Sequence, residues 1–67
     1  MFKNLHRGAI VYLHIEGKIA QAIVKKIFTA SAITNLGVIF ADEQDVTWWV
    51  SKKEAEKALG RGNNYDL

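Results

Sequence analysis

Residues 9–28 of this chain of 67 residues carry the strongest structural pattern: A-I-V-Y-L-H-I-E-G-K-I-A-Q-A-I-V-K-K-I-F. Residues 9–15 are rich in β-branched and aromatic types and alternate between two faces, which predicts a half-buried strand. Residues 16–18, Glu-Gly-Lys, follow directly, and Gly17 can adopt the positive φ that a tight hairpin requires. The stretch therefore predicts a strand that turns back into a second element.

That second element, residues 19–28, fits two periodicities. With a period of two, Ile19, Ile23 and Ile27 share one face of a strand. With a period of 3.6, one polar helical face collects Lys18, Gln21, Lys25 and Thr29. We favour the strand, because the run is dense in Ile and Val and follows a Gly-centred turn. A helix over residues 18–30 is the alternative.

Two further strands are predicted over residues 36–41 and 46–50, where apolar side chains are again dense. A loop over residues 29–35 precedes the first of them, and the acidic turn 42–45 separates the two. The chain thus contains two hairpins. Four or five short strands of this size are most compact as a twisted, partly closed antiparallel barrel.

A helix is predicted over residues 52–59, because Ser51 and Glu54 match the capping box and good helix formers follow. Gly60 stands where a left-handed C-terminal cap belongs, and residues 60–67 form a polar tail. Two turns of helix do not persist alone in water, so we expect the helix to cover part of the barrel. The fold class is mainly β in one domain, residues 1–67.

Composition excludes several classes of protein. Apolar residues make up 49% and charged residues 24%, which is typical of a folded soluble domain. There is no cysteine, so stability must come from packing or from association with another chain, and a homodimer is one expectation. No run approaches ~18 apolar residues and the N-terminus does not resemble a signal peptide, which predicts a cytoplasmic protein without a membrane segment.

The residues that could carry chemistry are few and scattered. His6 and His14 have no third ligand at metal-site spacing, and Ser31 has no base nearby in the sequence. The acids of turn 42–45 are typical of a solvated loop. We therefore expect no catalytic residue, no metal and no cofactor.

The pattern V-Y-L-H-I-E-G-K-I-A-Q-A-I-V-K-K-I, followed by two strands and S-K-K-E-A-E-K-A-L, resembles small uncharacterised proteins of phages and prophages of Gram-positive bacteria. These proteins are similar to SH3-like barrels with a C-terminal helix. The resemblance covers residues 8–59, most of the chain. It implies an SH3-like barrel, a viral setting in the host cytoplasm and no particular activity.

The pair Trp48-Trp49 is the most informative candidate site, because neighbouring strand residues point to opposite faces. If Trp48 faces the core, Trp49 faces outward, where it either covers the short helix or anchors a partner. The outward side chains of the protein-binding interpretation are Trp49, Thr47, Tyr12 and Ile10. The leading hypothesis is a non-catalytic module that binds a host or viral protein through this face, with inhibition of a host protein as one role.

A small nucleic-acid-binding barrel is the competing hypothesis. Such barrels combine a basic strand face, which contacts phosphates, with an exposed aromatic side chain, on which a base stacks. The basic candidates are Lys18, Lys25, Lys26 and Arg7. The net charge of only +2 and the acidic turn 42–45 argue against a dense phosphate-binding surface.

Overall fold

The computed structural model describes Phe2 and residues 5–63, with side chains as far as residue 59. In these described residues the chain forms five strands, a 3-10 turn and one helix. The strands are β1 (Ile10–Ile15), β2 (Lys18–Ile27), β3 (Ser31–Thr34), β4 (Val38–Phe40) and β5 (Trp48–Trp49). The 3-10 turn spans Ala41–Glu43 and the helix α1 spans Lys52–Asn63. The mainly β fold class is confirmed.

The strands form one antiparallel sheet in the order β4-β3-β2-β1-β5. Its centre is the predicted hairpin, in which β1 and β2 pair from Ile10↔Ile23 to Ile15↔Lys18. The connecting residues Glu16 and Gly17 both have positive φ, 50° and 78°, as a two-residue type I′ turn requires. The strand prediction for residues 19–28 is confirmed, and the alternative helix is wrong.

A β-bulge in β2 changes which side chains face inward. Val24 pairs with Thr34, but Lys26 pairs with Ile33, so Lys25 and Lys26 together oppose one residue of β3. A strict period of two puts Ile27 on the face of Ile23. The extra residue instead shifts Ile27 to the inner face, where it packs against the core.

The prediction for the segment after β2 is partly wrong. Residues 31–34, assigned to a loop, form β3, and the predicted strand 36–41 shrinks to β4. The reason lies in the turn between them, which Thr34 organises from a buried position. Its hydroxyl donates to the Gly37 carbonyl (2.7 Å) and accepts from the amides of Leu36 (3.1 Å) and Gly37 (3.0 Å).

The last strand is also shorter than predicted. Residues 45–47 are a turn, with Asp45 at φ 68°, so that the predicted strand 46–50 is reduced to Trp48–Trp49. This short β5 pairs with β1 at one edge of the sheet. The Trp48 Nε1–H donates to the Phe40 carbonyl of β4 (2.7 Å), the strand at the opposite edge. The sheet is therefore curled into a half-barrel, whose inner face holds the core: Val11, Leu13, Ala22, Val24, Ala32, Ile39 and Trp48.

Helix α1 begins as predicted and ends later. The Glu54 amide donates to the Ser51 hydroxyl (3.4 Å), so Ser51 is the N-terminal cap. The helix continues through Gly60 to Asn63, so the predicted end at Leu59 with Gly60 as the cap is wrong. The predicted polar tail is helical over 60–63, and its last four residues lie outside the described residues. No helix among the described residues is long and apolar enough to cross a membrane.

Candidate interaction surfaces

The two tryptophans lie on opposite faces of the sheet, as predicted from their adjacency. Trp48 pairs with Leu13, a core residue, whereas Trp49 pairs with Tyr12 on the outer face. The Trp48 ring packs at 54° to the Phe2 ring, with 5.7 Å between the centroids. Both indoles are nevertheless buried: 1% of Trp48 and 4% of Trp49 are exposed. Another part of the chain must therefore cover the Trp49 side chain on the outer face of the sheet.

Helix α1 covers the outer side of Trp49. The helix contacts β1 and β5, and its Ala55 side chain is fully buried. A small cavity between the helix and the preceding turn is lined by Trp49, Asp45 and three helix residues, Glu54, Lys57 and Ala58. The prediction of Trp49 as an exposed anchor is wrong, because a helix this short needs an apolar surface and the indole provides it. The alternative, in which the outer ring packs under the helix, is correct.

The other residues of the predicted protein-binding face do not form one patch. Tyr12 is half-buried beside Trp49. Thr47 is exposed, but its hydroxyl donates to Glu43 Oε1 (3.1 Å) within the turn. Ile10 is exposed and pairs with Ile23 on β2, away from β5. Of the four, Ile10 alone lies on an open apolar surface of the sheet.

That open surface lies on the outer face over the start of β1 and over β2, β3 and β4, and the sequence prediction missed most of it. Its members are exposed apolar side chains, of which Ile10 pairs with Ile23 and Ile33 pairs with Val38. We call it the outer patch: Ile10, Ile23, Ile33, Val38 and Phe40. Ile33 and Val38 pair directly, and Phe40 follows Val38 on the same face. Gly37 could have indicated the turn between β3 and β4, but the predicted strand 36–41 included it.

Three of the four predicted basic residues come together. The Gly8 amide donates to the Val24 carbonyl (2.8 Å) and the Val24 amide donates to the Ala9 carbonyl (2.9 Å), which holds the segment before β1 against β2. Arg7 and Lys25 therefore line one shallow notch of about 290 Å³. Lys26 is adjacent to Lys25, and its Nζ lies 5.3 Å from the centroid of the Phe28 ring.

Lys18 does not belong to this cluster. It lies at the other end of β2, beside the hairpin turn and opposite Ile15. Seven residues separate it from Lys25, which corresponds to about 23 Å along an extended strand. The basic candidates thus divide into a cluster of three and one isolated lysine.

The acidic residues and histidines form no site among the residues described. Asp42 and Glu43 lie in the 3-10 turn and Asp45 in the following turn. No group of three potential metal ligands occurs in the described part of the chain. Ser51 serves as a helix cap, and Ser31 lies at the start of β3.

Comparisons with protein-family models, curated proteins and solved structures give no significant match. The class that the fold defines is therefore a small antiparallel half-barrel with a C-terminal helix. Since one fold supports many functions, the function has to be argued from the surfaces themselves.

Proposed function

We propose that this protein is a non-catalytic interaction module that binds another protein through the outer patch. The observation that carries the proposal is the exposure of apolar side chains along two neighbouring strands: 40% of Ile33, 52% of Val38 and 47% of Phe40 are exposed. Single exposed apolar residues are ordinary, but contiguous ones mark interaction sites. The helix covers the neighbouring part of the same face, and a partner would cover the rest.

The geometry of the patch suits a protein contact. Directly paired residues such as Ile33 and Val38 have Cβ atoms about 5 Å apart, so their side chains form a continuous surface. Phe40 supplies an aromatic ring of the kind that is enriched in interface cores. Side chains on strands are also held in place before binding, which lowers the entropic cost of association.

The setting of this function is part of the proposal. The resemblance of residues 8–59 to small phage and prophage proteins supports a viral accessory protein in the host cytoplasm, with an SH3-like barrel fold. Its partner would then be a host or viral protein, and inhibition of that protein is one outcome of binding. A second copy of the chain is the partner to test first, because a small domain without disulfides gains stability from association.

Replacement of Val38 by glutamate tests the proposal. Val38→Glu places a charge within the patch, directly opposite Ile33, whereas the matched control Val46→Glu places it on an exposed valine in the turn before β5. We expect Val38→Glu to abolish self-association in analytical ultracentrifugation, or to reduce the affinity for a purified partner more than 10-fold. Val46→Glu should leave both unchanged.

The proposal requires Val38→Glu to weaken association more than Val46→Glu does. If the wild-type chain is monomeric and both glutamate variants bind the partner as tightly as the wild type does, the outer patch is not the binding surface. Circular dichroism melts of both variants establish that each is folded.

A further inference from the structure

We infer that Arg7, Lys25, Lys26 and Phe28 form a second binding surface, which takes single-stranded nucleic acid. The first three carry positive charge and the fourth is an exposed aromatic ring, and we call them the basic corner. It lies beside the outer patch but shares no residue with it. The inference is independent of the proposed protein-binding function.

The bulge in β2 concentrates the charge. In a regular strand, Lys25 and Lys26 would point to opposite faces and one of them would enter the core. The bulge sets both against Ile33 of β3, and both are exposed. Bulges are used in this way to redirect side chains at functional sites.

The segment before β1 adds the third charge. Its two backbone hydrogen bonds to Val24 fix Gly8, which has a φ of 92°, directly beside the bulge. Residues other than glycine rarely adopt this conformation. Arg7 is therefore held at the notch next to Lys25. Arg7 thus joins Lys25, which Lys26 follows in the bulge, although the two elements are distant in sequence.

Phe28 gives the corner its selectivity for single strands. The ring is 45% exposed, and the Lys26 ammonium lies within cation–π distance of it. A base that stacks on the ring takes the place of the Lys26 ammonium, which can then turn to the phosphate of the same nucleotide. Proteins that bind single strands combine these two contacts, whereas the bases of a duplex are stacked on each other and leave no face for the ring.

The charge around the corner favours a polyanion. None of the five strands contains an aspartate or glutamate. The acids of the described chain lie in the β1–β2 turn, in the turns that follow β4 and in α1. The acidic 3-10 turn begins at Ala41, whose amide donates to the Ala30 carbonyl (2.9 Å), so this turn lies toward the Phe28 end of the corner and not beside Lys25. A phosphate chain at Lys25 is thus not opposed by a carboxylate on the strands that form the surface.

Fluorescence anisotropy of the full chain with a labelled 12-nucleotide single strand tests the inference. We expect saturable binding at low salt that weakens as salt rises, with a slope of about −2 in log K against log salt for three neutralised phosphates. A DNA strand, an RNA strand and a DNA duplex of the same sequence form the three arms. Both single strands should bind more tightly than the duplex.

Three variants separate the charges from the ring. The double variant Lys25→Gln, Lys26→Gln should reduce the slope to about −0.7, whereas Lys18→Gln, on the same strand, should leave it near −2. Phe28→Ala should weaken binding by roughly 5-fold or more without changing the slope, because stacking releases no counterion.

Three results would each overturn the inference. The first is the absence of saturable binding at low salt. The second is equal loss of affinity in Lys18→Gln and the double variant, which would indicate attraction to net charge alone. The third is duplex binding as tight as single-strand binding together with an unchanged affinity in Phe28→Ala. The folded state of every variant is checked by its thermal melt.

Discussion

The two halves of the outer face of the sheet differ in burial. Over β5 and the neighbouring part of β1, helix α1 covers Trp49 and leaves it only 4% exposed. Over β3 and β4, Ile33, Val38 and Phe40 are as apolar but remain open. The difference shows that helix α1 covers one half of the outer face and that the other half remains exposed, where we propose that another protein binds.

The largest effect should follow from removing the side chain under the helix. Trp49→Ala should lower the free energy of unfolding by about 3–5 kcal/mol, because it leaves a cavity between α1 and the sheet. Val38→Ala, on the open half, should change it by less than about 0.5 kcal/mol. Urea denaturation followed by circular dichroism measures both. Similar losses would mean that the two halves do not differ in burial.

A smaller effect should follow from the turn that orders the open half. Thr34→Val removes a buried hydroxyl that makes three hydrogen bonds around the β3–β4 turn. We expect a loss of about 1–3 kcal/mol, since the Leu36 and Gly37 amides lose the hydroxyl as their acceptor. Thr47→Val removes an exposed hydroxyl with one bond to Glu43 and is the matched control. Equal stability of the two variants would contradict this role of Thr34.

The smallest effect should come from the cap of the covering helix. Ser51→Ala should lower the free energy of unfolding by ~1 kcal/mol, because the Glu54 amide loses its acceptor. Thermal unfolding measures this loss. A melting temperature equal to that of the wild type would show that the hydroxyl does not stabilise the helix.

The sequence was sufficient for the parts of the fold that depend on local patterns. The β1–β2 hairpin followed from alternation and from Gly17, and the start of α1 followed from Ser51 and Glu54. The strand β3 was missed because its four residues lie between two bends, at 29–30 and 35–36. A run this short carries little periodicity.

The surfaces depend on contacts between distant parts of the chain. Adjacency placed Trp48 and Trp49 on opposite faces, but it could not show that a helix starting at residue 52 folds back over Trp49. In the same way, Arg7 joins Lys25 only through the backbone bonds of Gly8 and Ala9 to Val24. The bulge that redirects Lys25 depends on the register of β3, which pairs with β2 from the other side.

Cysteine labelling tests the division of the outer face most directly, because the chain contains no cysteine of its own. Val38→Cys introduces one thiol on the open half, and Ala55→Cys introduces one under the helix, each in an otherwise unchanged chain. Under native conditions we expect the thiol at position 38 to react with a maleimide on the order of 100 times faster than the thiol at position 55, which reacts only after local opening. Equal rates would contradict the account.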